Sequence, residues 1–152
     1  MEKIYEMLQL QNELNNDTNG TGWRNGITKN GKPINWKRCI YMESAELIDS
    51  FPWKHWKSID AAPDFENIKI ELVDIWHFIM SYLLQHNDLQ KCAVMIDNAK
   101  DAKCDVRLPK EWNRELNAAI DEYLDIFEEL MALGLVKSDS EALQEELLDV
   151  FF

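Results

Sequence analysis

FENIKIELVDIWHFIMSYLLQ, residues 65–85, is apolar on more than one side when wound as a helix. A helix from about Asp64 to His86 is therefore predicted, packed against several neighbours as the central element of a bundle. Upstream, Pro52 and Pro63 bracket PWKHWKSIDAAP, which reads as a structured connection, and a further helix is expected from roughly Trp36 to Ser50. Before it, Gly22, Gly26, Gly31 and Pro33 mark a loop, and Ile4, Leu8, Leu10 and Leu14 mark a first helix over about residues 2–15. The polar run Asn15–Gly20 is expected to end that helix.

Downstream, Lys91–Ile96 is short and ambiguous, and Asp97–Lys110 reads as a loop ending at Pro109. Trp112, Leu116, Ile120, Tyr123, Leu124, Phe127 and Met131 then recur at helical intervals, predicting one long helix with Gly134 as its stop. Ser138 and Glu141 form a capping-box pattern before a last helix that carries Leu143, Leu147 and Val150. That helix reaches Phe152 without a stop signal, which fits either a chain truncated at its C-terminus or a complete, compact one. No run alternates with period two, so the fold class expected is all-α: a single domain over residues 1–152, a bundle of about five to six helices.

The formal charge of −12 would repel a nucleic-acid backbone or an anionic membrane, so neither a polymeric nucleic acid nor a membrane is expected as a partner. A small phosphorylated ligand stays compatible, because cations held by carboxylates invert the local field. Cys39, Cys92 and Cys104 show no CxxC spacing and read as free thiols of a reducing compartment. The start, MEKIYEMLQL, lacks an apolar leader core, and the longest uncharged run, Ile75–Asn87, is too short to span a bilayer. A cytoplasmic protein is expected.

Two acid pairs stand out. Glu43 and Glu46 lie three apart on one predicted helix, and Glu71 and Asp74 lie three apart on the next, so each pair projects from one helical face. Ile40 and Leu47 flank Glu43, and Ile70 and Phe78 flank Asp74, which sets these acids on apolar faces. Carboxylates gathered there lose hydration and repel one another, so positive charge is required. Lys37 and Arg38 precede Glu43 and supply some of it, but too few basic residues are well placed for all four. Hard divalent cations, Mg2+ above all, answer that need and also bind substrate phosphates. From the pattern alone, a metal site and a structural acid network account for the four acids equally well.

Glu43-x-x-Glu46, 24 intervening residues, then Glu71-x-x-Asp74 resembles the metal motif of the all-α nucleoside triphosphate pyrophosphatases, a superfamily that includes the MazG-like enzymes. WKRCIYMESAELIDSFPWKHWK, IELVDIWHF and LQLQNELN resemble the dimeric dUTPases in particular, and the resemblance is best over residues 4–86. It implies hydrolysis of dUTP to dUMP and pyrophosphate, with Glu43, Glu46, Glu71 and Asp74 as Mg2+ ligands and Glu43 also orienting or deprotonating the attacking water. It implies that Gln11 and Asn15, one turn apart, read the uracil edge; without the family context an exposed polar helix face explains them as well. His77 and Phe78 resemble positions lining the deoxyribose and base, and Trp53, His55 and Trp56 resemble an aromatic loop walling the pocket. Otherwise each would be ordinary packing. A later Gly-, Lys- and Asn-containing segment that contacts the triphosphate in the family has no counterpart here.

The resemblance also implies a homodimer, in keeping with a central helix apolar on too many sides for one small bundle to cover. Two other functions fit the same residues. One is a housecleaning pyrophosphatase for other or modified nucleotides; the other is a non-catalytic helical dimerisation module whose acids are structural.

Overall fold

The computed structural model describes residues 1–100, 109 and 111–152. Among them are seven α-helices: α1 (Glu2–Asn19), α2 (Trp36–Asp49), α3 (Phe65–His86), α4 (Leu89–Ala99), α5 (Arg114–Ala118), α6 (Ile120–Leu135) and α7 (Glu141–Phe151). There is no strand among the described residues, only an isolated bridge between Ile27 and Pro33 in the glycine-rich loop. None of the helices is long and apolar enough to cross a membrane.

The central helix is α3, as its composition predicts. Asp64 caps it by accepting a hydrogen bond from Asn67 N at 3.0 Å. Ile79, Met80, Ser81, Tyr82, Leu83 and Leu84 are six consecutive buried residues, so its second half is covered on every side. It packs on α1, α2, α4 and α7. Arg24, in the short 3-10 turn Trp23–Asn25, fastens the C-terminal end of α3 by donating to the carbonyls of Leu84 and Asn87 and to Asn12 of α1.

Several boundaries depart from the sequence expectation, each for a local reason. Helix α1 continues past Asn15 to Asn19, because Asn15 is buried and hydrogen-bonded and Gly20, at φ 91°, supplies the stop. Asp88 accepts a hydrogen bond from Lys91 N at 2.8 Å and starts α4, which takes in the ambiguous Lys91–Ile96 and runs on to Ala99. The rest of the loop expected up to Lys110, including Cys104, lies outside the described residues apart from Pro109.

The long helix expected from Trp112 is divided at Ala119 into α5 and α6. Gly134 lies inside α6 and does not end it. A Cβ there would stand 3.0 Å from the Lys37 carbonyl oxygen and 3.0 Å from Tyr41 Cβ, so its missing side chain lets α6 approach α2. The cap of α7 is Ser140, whose hydroxyl accepts from Leu143 N at 3.1 Å, rather than Ser138. The preceding residues are engaged elsewhere: Lys37 Nζ reaches Asp139 at 2.8 Å and the carbonyls of Val136 and Ser138, and Tyr82 donates to Asp139 at 2.8 Å.

Candidate active site

Docking of α2 on α3 joins the acid pairs. Glu43, Glu46 and Glu71 each offer a carboxylate oxygen, and the three atoms lie within 4.8 Å of one another. Glu71 is 5% exposed, Glu43 and Asp74 are half-buried and Glu46 is exposed, so the cluster opens to solvent on one side. Asp74 stands outside the three-atom group, yet its charge is felt at Glu43. Burial, a carboxyl–carboxyl contact with Glu71 and the charges of Glu46, Glu71 and Asp74 push the Glu43 carboxyl up to about 7.

The flanking residues differ from one pair to the other. Ile40 and Leu47 beside Glu43 are fully buried, whereas Ile70, one turn before Asp74, is 56% exposed. Lys37 does not serve the acids, since its ammonium is committed to Asp139. Among the described residues, no basic side chain forms a salt bridge with any of the four acids. Converging hard oxygen donors without a basic partner suit a divalent cation, so the residues present fit one.

A second polar group lies on the α1 side of α3. Gln11 and Asn15, only 5% and 3% exposed, both donate to Ser81 Oγ, at 3.0 and 2.9 Å. Gln11 also donates to Asn15 Oδ1 at 3.2 Å, and its own Oε1 meets His77 Nδ1 at 2.5 Å. The pair is therefore not an exposed polar face. Phe78, next to His77, turns towards α2 and stacks on Trp36, with ring centroids 6.0 Å apart.

The remaining aromatic candidates lie in the connection between α2 and α3. Trp53 is exposed and lines a groove between α2 and α6 with Ile48, Met131 and Leu135, while exposed His55 packs edge-on against Trp56. Neither makes a hydrogen bond or ring contact with Gln11, Asn15 or His77.

A family model described as dUTPase matches residues 3–149. The chain belongs to the dimeric, all-α dUTPase family. It is accordingly an enzyme of dUTP hydrolysis, in a family that generally uses a divalent metal. No curated protein matches the sequence.

Three residues of this dUTPase surround the site without having been singled out by sequence pattern. Ser81 joins the two amides; its one sequence signal is its place one turn after His77. Among the described residues, Lys57 is the only basic one lining a cavity of 520 Å³ beside Glu46. Buried Asn117 of α5 accepts from Trp112 Nε1 at 2.5 Å and donates to the carbonyls of Ile59 and Ala61, each at 2.6 Å, bracing the connection that carries Lys57. Nothing local to Asn117 in the sequence signals that role.

Proposed function

We propose that the chain hydrolyses dUTP to dUMP and pyrophosphate with Mg2+ held by Glu43, Glu46, Glu71 and Asp74. The observation that carries this reading is the convergence of three carboxylate oxygens within 4.8 Å, from two helices, with no basic side chain among the described residues in a salt bridge with them. When bound, the cation neutralises phosphate charge and acidifies a water. Glu43 is the general base: its carboxylate, half-buried among the other acids and reached by solvent, is placed to orient or take a proton from the attacking water. Glu71, nearly inaccessible, fixes its own carboxylate against Glu43 and so limits where the proton can go.

Gln11, Asn15 and His77 hold the base edge, and Phe78 backs them as an aromatic wall against Trp36. Trp53 and His55, in the connection between α2 and α3, are assigned to an aromatic wall of the pocket. Lys57 in the cavity beside Glu46 meets the phosphate chain. A homodimer is supported by Leu10 and Leu14 on α1 and Ile70 and Val73 on α3, large apolar side chains left in water close to these site residues in the chain. A cytoplasmic location accords with cysteines that lack CxxC spacing.

Pyrophosphate release from dUTP, measured with and without Mg2+, tests the reaction, and turnover surviving Glu46→Ala plus Asp74→Ala refutes it. A panel of dUTP, dTTP, dCTP and UTP separates a dUTP-selective enzyme from one acting on other nucleotides. Light scattering showing a clean monomer at working concentration would count against the dimer.

A further inference from the structure

Ser81 is fully buried on α3, one turn beyond His77. Its hydroxyl owns a single proton, and that proton is donated to the His77 backbone carbonyl at 2.8 Å. Towards α1 the hydroxyl oxygen can therefore only accept. Gln11 Nε2 and Asn15 Nδ2 both direct an N–H at it. The second N–H of Gln11 goes to Asn15 Oδ1, and Gln11 Oε1 accepts from His77, whose Nδ1 must then carry the proton.

Every hydrogen bond in this group thus runs in one consistent direction. A side-chain amide is nearly symmetrical in shape, and a half-turn exchanges its donor for its acceptor. Turning either amide here would press a carbonyl oxygen against a hydroxyl oxygen that has no proton to give. The arrangement leaves one lone pair on each of Gln11 Oε1 and Asn15 Oδ1 and one N–H on Asn15, all with settled directions.

We infer that Ser81 is a specificity-determining positioning residue, which locks the donor–acceptor polarity of Gln11 and Asn15 before a pyrimidine base arrives. The inference rests on the proposal that these two amides face the base. Uracil and cytosine are close in shape, but on the pairing edge uracil carries N3–H and O4 where cytosine carries a bare N3 and an N4 amino group. An amide held in one orientation satisfies one of these patterns and sets like against like in the other. An amide free to turn accepts both, and discrimination against the wrong base falls.

The test is the ratio of kcat/KM for dUTP to that for dCTP, measured on the full chain with Mg2+ for wild type, Ser81→Ala, Ser81→Thr and Asn15→Leu, with thermal midpoints recorded. Ser81→Ala should lower the ratio by at least about tenfold, acting through KM for dUTP rather than kcat. Ser81→Thr, which keeps a hydroxyl able to bond the same carbonyl, should restore it. A ratio within about twofold of wild type in Ser81→Ala, while Asn15→Leu collapses it, overturns the lock and leaves the base-facing amides standing. If neither variant moves the ratio, the base-facing reading itself has failed, and the lock with it. Should Ser81→Ala not fold, Ser81→Cys takes its place: its weakly accepting sulfur should give an intermediate ratio, and an unchanged ratio overturns the lock.

Discussion

Replacing Glu43 by Gln should stabilise the metal-free protein while abolishing its turnover. The substitution keeps shape and removes a charge that burial and three neighbouring acids oppose. A rise from the ordinary 4.5 to about 7 sets a ceiling of about 3.4 kcal/mol on the penalty of ionising this group in the folded chain. Glu43 keeps solvent contact on one side, and screening there reduces the expected gain to about 1 kcal/mol, or roughly 2–4 °C in midpoint. Because the folded chain holds the proton more tightly than the unfolded one, wild-type stability should be fully retained below pH 4.5 and decline as pH rises through about 7. The advantage of Glu43→Gln should accordingly be complete above pH 7 and absent below pH 4.5. Urea unfolding in EDTA across that range measures it. Added Mg2+ should reverse the order, since a ligand at a hundred times its Kd stabilises by about 2.7 kcal/mol and the variant has lost a ligand atom. A variant less stable than wild type in EDTA at pH 8, or equally favoured at both ends of the range, refutes the reasoning.

Gly134→Ala, which would help an isolated helix, should instead destabilise by about 1–3 kcal/mol in urea unfolding, because its methyl meets the Lys37 carbonyl at 3.0 Å. Asn117→Ala should cost about 1–3 kcal/mol and raise hydrogen exchange across residues 53–61, whose carbonyl anchors at Ile59 and Ala61 it removes. Burial pushes the Cys92 thiol up to about 12, so Cys92→Ser should leave the number of thiols titrated by a neutral-pH reagent in the native protein unchanged.

Helices α2 and α3 were legible in the sequence because dense apolar periodicity ran between clear punctuation: Pro52 and Pro63 between them and a capping Asp64. Boundaries failed where a residue with a familiar local meaning was recruited by tertiary structure. Gly134 read as a stop, but its use is the close crossing of α2. Asn15 read as the start of a loop, and its amide instead belongs to a buried group with Ser81. Ser138 read as a cap, while its carbonyl accepts from Lys37 and the cap falls to Ser140.

The same division applies to the site. Spacing in the sequence puts each acid pair on one helical face, which is a property of a single helix. That Glu43, Glu46 and Glu71 converge depends on the register of α2 against α3, which no local pattern encodes. Lys57, Ser81 and Asn117 were illegible for that reason: each acquires its role from a partner 11 or more residues away in the chain, whether Glu46, Gln11 or Ile59.

The exposed stretch around Trp56 separates Glu43 and Glu46 from Glu71 and Asp74 along the chain. A cut there would leave two polypeptides, each carrying half of the acid set and each catalytically mute. Mixing them would make recovered hydrolysis a direct meter of how firmly α2 and α3 embrace, and a divalent ion would act as the glue that draws the halves together.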